Sequence, residues 1–227
     1  MSKIRMGFIG CGGNARGHIG RVLEIKDCEI VSLCDSSKES IDAAKNQYEL
    51  ANLPEFTDFE EMLKEIEMDA VQISTPHTLH FDQIMACLEK GLHVLCEKPM
   101  VCSVDHAHQV LEKHRESGKV LMVSYQRHLE AQYRYVRNQI AAGELGDIQF
   151  ISALQDQAWY RGTMGLWRQQ LALSGGGQLN DSGSHLLDIV LWMTGLHVAE
   201  VQAYLENFES EVDINSALSL RFSNGGL

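Results

Sequence analysis

The stretch GFIGCGGNARGHI, Gly7 to Ile19, constrains this chain more than any other. An apolar run from Ile4 to Gly10 reads as a strand, and the glycines at 10, 12 and 13 lead directly into a helical pattern. Gly10, Gly12 and Ala15 form GxGxxA, whose positions have separate mechanical uses: a tight turn, a close backbone approach and close helix packing. The amides at the head of such a helix, with the positive end of its dipole, face whatever anion lies beyond the turn. A glycine-rich turn with no ligand is the competing reading.

The surrounding pattern favours a dinucleotide. Asp35 ends a second apolar run and lies 35 − 15 = 20 residues past Ala15, where a carboxylate accepts hydrogen bonds from an adenosine ribose and repels a 2′-phosphate. Ser36 and Ser37 follow it and no arginine stands beside it, which favours NAD over NADP. Its alternative role is a turn residue capping the next helix. GxxxxGK[ST] is missing, which argues against a P-loop triphosphatase.

From the fingerprint onward, short apolar runs alternate with amphipathic stretches, the pattern of a parallel sheet flanked by helices. Strands are predicted at IRMGFIG (4 to 10), EIVSLCD (29 to 35), DAVQIST (69 to 75), LHVLCE (92 to 97) and KVLMVSY (119 to 125). TDFEEMLKEIE reads as a helix with Thr57 as N-cap and Glu60 completing a capping box. Near residue 125 the rhythm changes, so domains are drawn at 1–125 and 126–227. The second contains a helix, EAQYRYVRNQIAAG, and a strand, DIQFISALQDQAWY. A glycine run follows, then the helix SHLLDIVLWMTG capped by Gly195 and strand-like HVAEVQAYLEN and INSALSLRFSNGG. Asn224-Gly225 suits a type I′ hairpin turn whose return strand is missing, so the chain is expected to be a fragment of something longer.

Nineteen Lys and Arg against 31 Asp and Glu give a net charge of −12 with no basic cluster. Nucleic acid and anionic membrane are thus disfavoured as partners. No segment approaches the roughly 20 apolar residues that span a bilayer. The opening MSKIRMGFIG has no signal-peptide cleavage region, so a cytoplasmic protein is expected. The six cysteines lack CxxC spacing and several lie in apolar runs, as reduced, buried thiols do.

Three further segments, STPHTLH (74 to 80), CEKP (96 to 99) and GGGQLNDSGSHLLD (175 to 188), follow in order. Together with the fingerprint the chain resembles the Gfo/Idh/MocA family of NAD(P)-dependent oxidoreductases, which act mostly on sugars, cyclitols and their derivatives. The resemblance implies an α/β fold: an N-terminal Rossmann doubly wound parallel sheet and a C-terminal α+β domain with a mostly antiparallel open sheet, here without its last strands. It implies an active site between the domains and, where the sheet is complete, a homo-oligomer built through it. Cofactor residues carried over are Gly10, Cys11, Gly12, Gly13, Asn14, Ala15, Asp35, Ser36, Ser74, Thr75, Pro76, His80, Glu97 and Lys98. His77 departs from the family, which often has Asn after this proline.

The resemblance also makes His185 the general base of alcohol oxidation. Lys98 offers a cation to the hydroxyl oxygen, and Asp181 binds a neighbouring hydroxyl or holds His185 and Lys98 in their working states. The bland reading of Asp181 and His185 is a helix cap and its i+4 neighbour. Gln126, Arg127, Trp167 and Arg168 are expected to contact a sugar or polyol, with core packing as the competitor for the tryptophans. No metal site is expected, because His77/His80 and His106/His108 sit in unrelated segments. Two other functions stay open: an NAD-dependent glycoside hydrolase using transient oxidation, and a non-catalytic regulator that binds NAD or sugar.

Overall fold

The computed structural model describes residues 3–227; Met1 and Ser2, the start of the segment read for a signal peptide, lie outside the described residues. The chain divides into two compact units, the first closing at Ser124 and the second spanning Tyr125–Leu227.

The first unit alternates strands and helices in chain order. They are β1 (Ile4–Ile9), α1 (Gly13–Leu23), β2 (Cys28–Cys34), α2 (Lys38–Tyr48), β3 (Glu55–Phe56), α3 (Phe59–Glu65), β4 (Ala70–Ile73), α4 (His80–Glu89), β5 (His93–Cys96), α5 (Val104–Ser117) and β6 (Leu121–Val123). All neighbouring strands pair parallel, in the order β3-β2-β1-β4-β5-β6. Because alternate residues of a strand point to opposite faces, Phe8 and Ile9 enter different cores. Phe8 packs with Ile19, Val22 and Ile41 from α1 and α2. Ile9 packs with Met62, Ile84, Leu88 and Val110 from α3, α4 and α5. Each fully buried side chain of this size contributes about 1.5–3 kcal/mol, so the sheet is held from both faces. The chain order reverses between β1 and β4, and open parallel sheets bind ligands at the carboxyl ends of such a reversal.

One strand went unread and one local expectation is corrected. β3, the shortest strand, has no alternation to reveal it. The cap of α3 is Asp58 rather than Thr57: Asp58 Oδ1 accepts from the amides of Glu60 at 2.7 Å and Glu61 at 3.2 Å. A carboxylate outcompetes a hydroxyl there because it also complements the helix dipole. Asp58→Ala is expected to cost about 1 kcal/mol, read as a lowered thermal midpoint of the first unit, with Thr57→Ala near neutral.

The second unit contains α6 (Ala131–Ala141), short helical turns α7 (Trp159–Gly162) and α8 (Leu171–Ser174), a five-residue π-helical turn at Leu179–Gly183, α9 (Ser184–Thr194), β7 (Val198–Glu206) and β8 (Asn215–Phe222). Gly195 ends α9 at φ 68°, the left-handed cap that glycine allows. β7 and β8 form an antiparallel pair, with Val201 opposite Leu220 and Tyr204 opposite Ala217. Leu218, Leu220 and Phe222 of β8 line a cavity with Leu186, Leu187 and Val190 of α9. Among the described residues no helix is long and apolar enough to cross a membrane.

The strand expected at DIQFISALQDQAWY does not form. Its alternation favours an extended backbone, but a strand needs a ladder partner. Among the described residues only Leu227 provides one, through Ile151 N to Leu227 O at 2.8 Å and Leu227 N to Gln149 O at 3.0 Å. Trp159 and Tyr160 open α7 instead. The turn after β8 is also different. Only Gly225 has positive φ, at 88°, and bonds join Gly225 N to Phe222 O and Phe222 N to Gly226 O. This is a type I turn closed by a glycine bulge, not type I′.

Candidate functional site

In the first unit, the cofactor residues expected from the sequence gather at the carboxyl ends of β1, β2, β4 and β5. Gly10 holds φ 96°, and a Cβ there would meet the Ser74 carbonyl oxygen at 2.5 Å. Two neighbouring strand ends therefore approach as only glycine permits. Gly12 and Gly13 face open space, with nothing within 4 Å of an added Cβ. Gly12 caps α1 without a side-chain bond, and the first helical turn has no acidic residue. The helix thus presents amides and positive dipole outward, a donor set suited to a phosphate. Ala15 is fully buried, as close helix packing requires.

Asp35 organises this turn. Its Oδ2 accepts from the Cys11 amide at 2.7 Å and its Oδ1 from the Ser37 amide at 2.9 Å. Ser37, in turn, caps α2 through the Ser40 amide. The turn-residue alternative for Asp35 thus describes a real part of its work, and spare lone pairs on both oxygens still suit a ribose. Ser36 is exposed beside it. The Cys11 thiol is turned inward toward the Cys34 carbonyl oxygen, 3.6 Å away, and burial above all, with Asp35 and Cys34 beside it, pushes it up to about 12.

The β4 and β5 ends are joined by His80. This imidazole is fully buried, with Nδ1 2.8 Å from the Pro99 carbonyl oxygen and Nε2 3.0 Å from that of Thr75. Burial lowers its pKa against the pull of these two carbonyls. Its place is inside the loop architecture rather than on its surface. Thr75 donates to Gln83 at 2.6 Å, and Gln72 to the Ser74 hydroxyl at 2.6 Å. His77 is buried with its ring 5.9 Å from His80, and His106 stacks on Phe81 at 3.8 Å.

Glu97 was expected on the cofactor, yet both its oxygens meet protein donors. His18 Nε2 lies 2.8 Å from Oε1 and the Lys98 amide 3.2 Å from Oε2, and Asn14 also bonds the carboxylate. Burial pushes this carboxyl up, but His18, Asn14 and the Lys98 amide outweigh it, so the group stays below the ordinary carboxylate range. His18 went unread in the sequence. The available signal was its spacing, one helical turn past Asn14 and so on the same face of α1.

In the second unit, Asp181 and His185 do not share one regular helix. Asp181 lies in the π-helical turn, His185 in the first turn of α9, and the wider π turn rotates Asp181 inward until it is 5% exposed. There its Oδ2 accepts from the Trp159 indole at 2.8 Å and from Arg168 Nε at 3.1 Å. Arg168 lies over the Trp167 ring, 4.5 Å from its centre. Three predicted site residues, Trp167, Arg168 and Asp181, thus form one cluster, and Trp159 joins it. Arg127 reaches Gln155 at 3.5 Å, and Gln155 donates to the Ser182 carbonyl at 3.0 Å, while Gln126 is exposed.

Asp181 is not the cap of this helical segment; Asp213 takes that part. The Gly177 and Leu179 amides donate to its two carboxylate oxygens, each at 2.8 Å, and the Gln178 amide to its backbone carbonyl at 2.8 Å. The glycine run accordingly admits Asp213, a residue of the same chain. His185 meets Tyr125 edge-on at 5.8 Å. Three residues later on α9, Asp188 lies 2.7 Å from His128, whose ring stacks on Trp192.

A doubly wound sheet with an open, uncapped glycine turn at its topological switch point defines the first unit as a dinucleotide-binding domain. Residues 4–125 match the family described as "Oxidoreductase family, NAD-binding Rossmann fold", and residues 133–227 match the "GFO/IDH/MocA C-terminal domain". The chain belongs to the Gfo/Idh/MocA family. It is 29% identical over 195 residues to D-glucoside 3-dehydrogenase of Escherichia coli, covering 86% of this chain and 55% of that protein. To 1,5-anhydro-D-fructose reductase of Ensifer adhaerens it is 30% identical over 200 residues, covering 88% and 59%. The chain therefore spans less than two thirds of either relative. Among solved structures, the WlbA dehydrogenase of Bordetella pertussis, in complex with NADH and UDP-GlcNAcA, superposes with a TM-score of 0.85 at 27% identity, over 99% of this chain and 68% of that one.

Proposed function

We propose that this protein is an NAD-dependent oxidoreductase that transfers hydride between a secondary hydroxyl of a sugar, cyclitol or related polyol and nicotinamide. One observation carries the reading: the family's dinucleotide turn is open here, with a donor set that suits a pyrophosphate. The residues that would hold the cofactor are the 10–15 turn, Asp35 with Ser36, the 74–76 loop, and Lys98. Asp35 and the pairing of Lys38 with Asp42 and Glu55 support NAD over NADP, since they leave a 2′-phosphate facing a carboxylate. When bound, nicotinamide accepts or returns the hydride.

The chain's own residues handle the proton and the alcohol. His185 takes the hydroxyl proton, a task that an imidazole performs near neutral pH. Lys98, at the carboxyl end of β5, lends positive charge to the hydroxyl oxygen as alkoxide character grows. Asp181 holds the Arg168 fork in place, and Trp167 with Arg168 offers an apolar face and donors to a sugar ring. Relatives named for D-glucoside, 1,5-anhydro-D-fructose and scyllo-inositol support a cyclic polyol substrate.

The test is a panel of inositols, aldoses and sugar acids with NAD, followed by NADH absorbance. Net NADH with at least one ring polyol is the expected result. Substrate cleavage without net NADH would instead favour the glycoside hydrolase, and binding without turnover the regulator.

A further inference from the structure

His18 and Glu97 come from different parts of the first unit yet form one of its least exposed ion-pairing contacts, 2.8 Å apart with side chains 18% and 13% exposed. A carboxylate withdrawn this far from water is costly unless its lone pairs are met. Glu97 meets that condition with three donors: His18 and Asn14 from the opening turns of α1, and the amide of Lys98. The α1 donors begin immediately after the glycine turn. The third is the backbone of the residue that polarises the alcohol in the proposed reaction. Moving α1 relative to the 97–98 segment therefore requires breaking charge-assisted bonds in a poorly hydrated place.

We infer that His18 is a positioning residue: through Glu97 it fixes the head of α1, where the dinucleotide phosphates bind, to the backbone of Lys98, so that both turns are set together. Glu97 in this assignment acts inside the protein as an anionic strut, rather than as a ligand of the cofactor. Binding a dinucleotide at the α1 amides then orders the Lys98 turn as well, and loss of the strut weakens binding even though no cofactor contact has been removed. The inference rests on the proposed cofactor site but not on the identity of the substrate.

NADH binding to the 227-residue chain, followed by the fluorescence of the bound nicotinamide, tests it without turnover. His18→Ala is expected to raise the Kd about tenfold, the effect of one charge-assisted hydrogen bond. His18→Gln, whose amide still reaches Glu97, should recover affinity to within about threefold of the parent. His18→Ala combined with Glu97→Gln should bind no more weakly than the worse single variant, because each removes the same link. If His18→Ala does not fold, His18→Gln and His18→Asn pose the same question, since Asn is one methylene shorter and must bind more weakly. Equal Kd values for His18→Ala and the parent, no recovery by Gln, or additive losses in the double variant overturn the strut while leaving the proposed oxidoreductase intact. Failure of the parent to bind NADH overturns both.

Discussion

Replacing His185 with alanine is expected to lower turnover by at least about a hundredfold, the lower range for loss of a positioned general base, while NADH affinity stays within about twofold. The separation follows from the architecture. His185 belongs to the first turn of α9 in the second unit, whereas the open glycine turn, Asp35 and the 74–76 loop all belong to the first. An alanine there keeps the helix, since alanine is the best helix former and the site is only half-buried. What goes, in the proposed reaction, is the proton acceptor. Initial rates with a polyol identified by the substrate panel, together with NADH titration, check both halves. Turnover within about tenfold of the parent would remove His185 from the role assigned to it.

The parallel half of this fold was legible because its signals are local. Apolar runs of four to seven residues and the φ demand of Gly10 act within a few positions of the residues that cause them, whereas the capping-box spacing at Thr57 missed the true cap by one residue. Asp181, Arg168 and Trp167 stood out by motif and neighbourhood, but their mutual contact did not, since a π-helical turn leaves no periodic trace. His18, Asp213 and the His128–Asp188 pair escaped for a common reason. Each does its work on a residue between 34 and 79 positions away, and the one local hint, the His18–Asn14 spacing, does not name the distant partner. The missing strand near residue 150 belongs with them: its alternation was real, yet a ladder depends on a partner elsewhere in the chain.

The glycine run is where local chemistry and long-range packing meet, and Gly177→Ala should have the largest effect on stability. Its three glycines do different things. Gly175 takes φ 66° to end α8, and Gly176 runs close to Asn180. Gly177 sits against the backbone of Asp213, where an added Cβ would overlap the carbonyl oxygen and approach the amide nitrogen to 2.6 Å. Neither backbone can yield easily, because three hydrogen bonds from residues 177 to 179 hold Asp213 at that place. Alanine must therefore both overpack the contact and disrupt this amide-capturing loop, at a combined cost of about 3 kcal/mol or more. The corresponding loss is roughly 12–24 °C in the thermal midpoint of the second unit. All three tryptophans, at 159, 167 and 192, lie in the second unit, so tryptophan fluorescence follows that unit's unfolding. Gly162→Ala is the control: its Cβ meets nothing within 4 Å and its φ is not positive, so its midpoint should hold or rise slightly. A Gly177→Ala midpoint equal to the parent's would mean that the loop at Asp213 moves freely, and the π turn carrying Asp181 would then lack the anchor that Asp213 gives it.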